Sequence, residues 1–233
     1  MNLWQRFSKL LGDGVDAIGA VFDRVTSRVI GTPEERRQMA FSVALVALSA
    51  KMAKADGVVT FDEVAAFQRF VHYPVSQARN VERLFEIAHR DAAGYESYAR
   101  RVASLYPPED PILVDLIDGL FDIARADSMI HEAEVAYLAD VARIVGLSEA
   151  DFERIKARHV VPEEGDPYAI LGVDRGLSFD ALRRHYRRLV AEQHPDRLMA
   201  HGVPEEFIAI ATQRLAVIND AWDRIEKERG RGE

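Results

Sequence analysis

Cysteine is absent from the 233 residues, which excludes disulfides, thiolate metal sites and a thiol nucleophile, and fits a reducing compartment. A long uninterrupted apolar run is absent from the N-terminal segment, where apolar residues are dense. There Arg6, Lys9, Asp13, Asp16, Asp23 and Arg24 break the pattern, so no spanning helix is expected. The same breaks, and the lack of a small-residue cleavage site, argue against a cleaved signal. Net positive charge is absent as well. The formal charge is −8, which argues against general nucleic-acid binding but leaves room for a local basic face. No phosphate-cradling glycine loop, no nucleophile beside a base and no dense cluster of metal ligands is present. His72, His89, His131, His159, His185 and His201 lack metal-protease spacing and are expected as surface or capping residues. Neither an enzyme nor a cofactor is expected.

What is present is helical periodicity, and the fold expected is all-α. Residues 1–31 form an amphipathic segment in which Leu3, Trp4, Phe7, Leu10, Leu11, Val15, Ile18, Val21, Phe22 and Val25 recur at three- and four-residue steps. Two readings are open: a core-packing or homodimerising helix, or a helix lying on a membrane surface with Trp4 and Phe7 in the lipid interface.

Residues 32–160 read as an all-helical domain. Thr32 suits a cap and Pro33 the first helical position; the helix that follows is almost wholly apolar or small from Met39 to Met52, as a central buried helix would be. An internal repeat lies at an offset of 71 residues, aligning the stretch from Ala53 to Val64 with that from Ala124 to Val135. Each copy reads as a long apolar helix, an Asp-containing turn, two apolar residues and a new helix. The acids Asp56, Glu63, Asp127 and Glu134 fit turn and cap chemistry. The alternative is a divalent cation held by carboxylates that the repeat brings together, without the dense oxygen loop of an EF-hand. Residues 161–166 read as a short polar hinge permitting limited reorientation.

In residues 167–230 two amphipathic helices are expected, Phe179–Glu192 and Pro204 to about Glu228, as an antiparallel hairpin. Leu182, Tyr186, Leu189 and Val190 line one side of the first; Arg183, Arg184, Arg187 and Arg188 line the other. Phe207, Ala211, Leu215, Ile218, Trp222 and Ile225 form the stripe of the second. His194-Pro195-Asp196 falls on the exposed connection, stiffened by the proline.

The run from Asp166 to Val173, the basic run from Leu182 to Leu189, His194-Pro195-Asp196-Arg197, and Ile218 to Trp222 together resemble the DnaJ-type J-domain family, in the right order over about 65 residues. His185 departs from the Ala usual in the family, and Gln193 from a frequent aromatic. The resemblance implies docking to a DnaK-type ATPase chaperone and stimulation of its ATP hydrolysis. His194, Pro195 and Asp196 would be the trigger and Arg183, Arg184, Arg187, Arg188 and Arg197 the cationic face. The zinc-binding cysteine region and the Gly/Phe-rich linker of larger DnaJ proteins are absent. Lys54-Ala55-Asp56-Gly57, with an acid seven residues after the Asp, resembles the TerB family, and the domain order resembles DjlA-type co-chaperones. A co-chaperone is therefore expected, cytoplasmic or at the cytoplasmic face of the inner membrane, its TerB-like domain directing it to an unidentified client. The alternative is a stress-response or membrane-associated scaffold whose TerB-like domain carries the main role.

Overall fold

The computed structural model describes residues 18–26, 32–52, 76, 78–90, 94–107, 110–125, 130–160, 165–200 and 208–230. Among them there are eleven helices and no strand, as the periodicity predicts. Seven build a bundle: α1 (Ile18–Thr26), α2 (Pro33–Met52), α3 (Ala78–Arg90), α4 (Tyr95–Ala103), α5 (Pro111–Ala124), α6 (Glu132–Val145) and α7 (Glu149–His159). Four follow: α8 (Pro167–Leu171), α9 (Phe179–Glu192), α10 (Pro195–Ala200) and α11 (Ile208–Gly230).

The caps follow from the sequence. Thr32 and Glu35 close a capping box on α2, with Thr32 N–H to Glu35 Oε2 at 2.8 Å and Glu35 N–H to Thr32 Oγ1 at 3.2 Å. Asp110 precedes Pro111 on α5 and accepts from Ile112 N–H. Gly146 ends α6 at φ 89°, in the left-handed region that a side chain disfavours.

α2 is the centre of the bundle: Met39 to Ala50 are all buried. Its two buried serines are satisfied within the helix, Ser42 Oγ donating to the Gln38 carbonyl and Ser49 Oγ to that of Leu45. Tyr137 of α6 crosses over to donate to the Leu48 carbonyl at 2.8 Å. α1 packs Val21, Phe22 and Val25 into this same core, and Arg101 of α4 secures it through Asp23 at 2.6 Å. The rest of the N-terminal amphipathic segment lies outside the described residues, as do Asp56, Glu63 and Asp127. Glu134, the fourth of the paired acids, sits in the first turn of α6 and accepts from His131 N–H at 2.8 Å. No helix among the described residues is long and apolar enough to cross a membrane.

A second core joins α8, α9 and α11: Tyr168, Ile170, Leu171, Leu182, Leu189, Ile218, Ala221, Trp222 and Ile225. α11 does not bury its stripe against α9 alone, as the hairpin pattern predicts. Ala211 belongs to the bundle core and Ile208 packs against it, so the start of α11 lies on the bundle and its later turns on α8 and α9. His159, expected at the surface or as a cap, is buried and stacks on Phe121 at 5.2 Å. Its Nδ1 faces Asp122 Oδ1 at 3.4 Å.

Burial pushes the Asp122 carboxyl up to about 7, His159 pulling against that rise and Asp118 adding to it. A carboxyl raised from 3.8 to about 7 on folding binds more protons folded than unfolded between those values. Its contribution therefore makes stability fall as pH rises through that window. Between pH 5 and 8 the unfolding free energy is expected to drop by on the order of 2 kcal/mol. In Asp122→Asn this dependence flattens, as measured by denaturant titration at each pH.

Candidate functional site

α9 starts where Ser178 Oγ accepts from Ala181 N–H at 3.3 Å. α8, the short helix before it, is capped by Asp166, which accepts from Tyr168 N–H, and it ends on Gly172 at φ 67°. On the inner side of α9, Leu182 and Leu189 are buried. Tyr186 lies flat against Trp222, with ring centroids 4.7 Å apart and planes 8° apart. Phe179 meets Trp222 at 5.6 Å. The Tyr186 hydroxyl donates to Asn219 Oδ1 at 3.0 Å, which ties α9 to the Ile218–Trp222 motif of α11. Three aromatic rings in offset contact supply geometry as well as area.

The outer side of α9 carries Arg183, Arg184, Arg187 and Arg188, all exposed. Arg188 is partly engaged: its Nε is 3.9 Å from Glu192 Oε1 and its Nη2 is 2.9 Å from His185 Nδ1. Among the described residues Arg183, Arg184, Arg187 and Arg197 form no ion pair. His185 explains its own departure from the family pattern. Its Nε2 is 2.8 Å from the Leu171 carbonyl, so it bolts α9 to the end of α8, while Nδ1 accepts from Arg188. This geometry requires the Nε2–H tautomer.

His194-Pro195-Asp196 is a helix junction more than an open loop. Gln193 N–H closes α9 on the Leu189 carbonyl, and the His194 carbonyl accepts from Arg197 N–H as the first bond of α10. Pro195 occupies the first helical position, where its missing N–H costs nothing. His194 Nδ1 accepts from Asp196 N–H at 3.3 Å and stands 3.6 Å from Asp196 Oδ2. The side chains of His194 and Asp196 are 50% and 80% exposed, so both can meet a macromolecule. Sequence reasoning missed α10, although Pro-Asp-Arg-Leu-Met-Ala carries the signal: proline at the first position, an acid in the first turn and helix formers after it.

The structure thus brings the tripeptide and the arginine row to the end and outer side of one helix. The paired acids are not part of this assembly. Among the described residues no group of three or more His, Asp or Glu side chains is arranged to hold a metal ion.

Comparison with known families matches residues 42–157 to the profile described as "Tellurite resistance protein TerB" and residues 166–231 to the DnaJ domain. Among curated proteins, the chain is similar to the "Co-chaperone protein DjlA" of Photobacterium profundum, at 28% identity over 84% of this chain and 80% of that one. It is similar to those of Vibrio cholerae, at 25% over 86% and 82%, and Escherichia coli K12, at 22% over 91% and 89%. No solved structure matches it.

Trp222 is the piece that sets α9 against α11. Trp222→Ala should cost about 3–5 kcal/mol of stability, read from denaturant unfolding. Tyr186→Phe, which removes only the bond to Asn219, should cost about 1 kcal/mol.

Proposed function

This chain is of the DjlA-like type, a TerB domain followed by a C-terminal DnaJ domain, and from that premise we propose that it is a non-enzymatic co-chaperone that docks on a DnaK-type ATPase chaperone and stimulates its ATP hydrolysis. The observation that carries this reading is the pairing of an exposed His194–Asp196 junction with an exposed arginine row on the same helix. Arginines at i and i+4, as in Arg183 with Arg187 and Arg184 with Arg188, repel one another along a helix at a cost of a few tenths of a kcal/mol per pair. A row maintained at that cost, on a chain of charge −8, suits an acidic partner surface.

The roles divide by exposure and stiffness. The arginines steer encounter and form forked bonds to partner carboxylates. The junction is held by Pro195 and by the cap between His194 and Asp196 N–H, so ordering it on docking costs little entropy. His194 and Asp196 touch no nucleophile; their part is recognition. The TerB domain would direct this activity to a client protein.

In a single-turnover ATPase assay with a DnaK-type chaperone, the wild-type chain is expected to accelerate hydrolysis and His194→Gln to abolish the acceleration. An unchanged rate with the wild-type chain overturns the reading. Arg183→Glu and Arg187→Glu should each raise the half-stimulating concentration roughly fivefold at low salt, an effect that shrinks as salt is added.

A further inference from the structure

α5 is among the most buried helices of the bundle, yet Asp115, Asp118 and Asp122 lie along it with relative exposures of 7%, 0% and 2%. Steps of three and four residues put all three on one face. Three carboxylates taken out of water are costly unless each is matched. α7 matches only part of the set. Arg158 Nη2 lies 2.7 Å from Asp118 Oδ1, and His159 Nε2 lies 3.0 Å from the same oxygen. Burial would push the Asp118 carboxyl up, but Arg158, Arg214 and His159 together outweigh it and hold that carboxyl well below the ordinary range.

Asp115 forms no ion pair within the bundle among the described residues, and burial pushes its carboxyl up despite the nearby Arg214 and Arg158. Its partner is Arg214 of α11, with Nη1 at 2.5 Å from Asp115 Oδ1 and 3.3 Å from Asp118 Oδ2. The Arg214 side chain is 1% exposed, and it meets no carboxylate of its own domain among the described residues. Arg214 is therefore a buried cation whose ion-pair partners, Asp115 and Asp118, both belong to the other domain. Arg214 also marks the point where α11 changes neighbours, between Ala211 in the bundle core and Ile218 in the second core. At the other end of the contact, Gly172 of the DnaJ domain backs onto the Arg154 side chain of α7 so closely that a Cβ would collide with it.

We propose that Arg214 is an interdomain positioning residue: seated between Asp115 and Asp118, it fixes the DnaJ domain on the TerB domain so that the two move as one body and the arginine row of α9 is presented at a set angle. The presentation half rests on the co-chaperone reading; the rigid-body half does not. This seating leaves the row uncovered, since the four α9 arginines are exposed with both domains packed together.

The cysteine-free chain allows specific labelling. Spin labels at Ser104→Cys in the bundle and Glu226→Cys on α11 report the interdomain distance in the full-length protein. The unaltered pair is expected to give one narrow distance distribution. Arg214→Met, which keeps the length and removes the charge, and Asp115→Asn are each expected to broaden it into more than one population, while Arg214→Lys keeps it narrow. A distribution as narrow in Arg214→Met and Asp115→Asn as in the parent overturns the proposal. If Arg214→Met loses helical circular dichroism, the contrast between Asp115→Asn and Arg214→Lys decides in the same way. Because the tripeptide and arginine row are untouched, Arg214→Met should still stimulate the ATPase. Its half-stimulating concentration should rise above that of wild type, since the row is no longer held at one angle; an unchanged half-stimulating concentration overturns the presentation half. A failed co-chaperone reading would therefore appear as no stimulation by any variant, and a failed positioning role as an unchanged distance.

Discussion

One helix buries one side against two different neighbours, and the rest of the arrangement depends on that. α11 begins on the bundle through Ile208 and Ala211 and continues on α8 and α9 through Ile218, Ala221, Trp222 and Ile225. A helix is stiff over this length, so the two cores cannot be oriented independently while both contacts hold. Apolar burial supplies the attraction, and the buried ion pairs supply its register, because a guanidinium has a far smaller set of acceptable positions than a methyl group. α9 is then placed secondarily, by the stacking of Tyr186 and Phe179 on Trp222.

The charge distribution follows the same division of labour. The chain is acidic overall, yet four exposed arginines stand together on the outer side of α9. Much of the chemistry that could pass for catalytic lies inside, where Asp115, Asp118, Asp122, Arg158, His159 and Arg214 are gathered between α5, α7 and α11. A search by residue type alone would find that cluster first. Its burial and mutual pairing set it apart from the exposed row and junction.

Most of the helices were legible from the sequence, for reasons that are local. Thr32 and Pro33 announce a helix start, and the apolar stretch from Met39 to Met52 announces a buried helix. The row of α9 arginines was legible because it alternates with Leu182, Tyr186 and Leu189 at helical spacing. What local pattern could not show was which neighbour takes each part of a stripe: Ala211 and Ile218 share a face of α11 but belong to different cores. Nor could it place His159, since a histidine at a helix end reads as a cap until Asp118, 41 positions earlier, is known to reach its ring. The three aspartates within the apolar run of α5 were the available signal for that cluster, since acids at that spacing in so greasy a helix demand cations from elsewhere.

The cap at the start of α10 restricts what the His194 ring can offer. With Nδ1 accepting from Asp196 N–H, the only ring hydrogen left for a visitor is on Nε2. A visiting group that engages it must bring an oxygen lone pair, whereas the neighbouring Asp196 carboxylate, four-fifths open to solvent, calls for a hydrogen. The junction is thus a polarised two-pin plug, donor beside acceptor, and a socket with those two pins exchanged would not accept it.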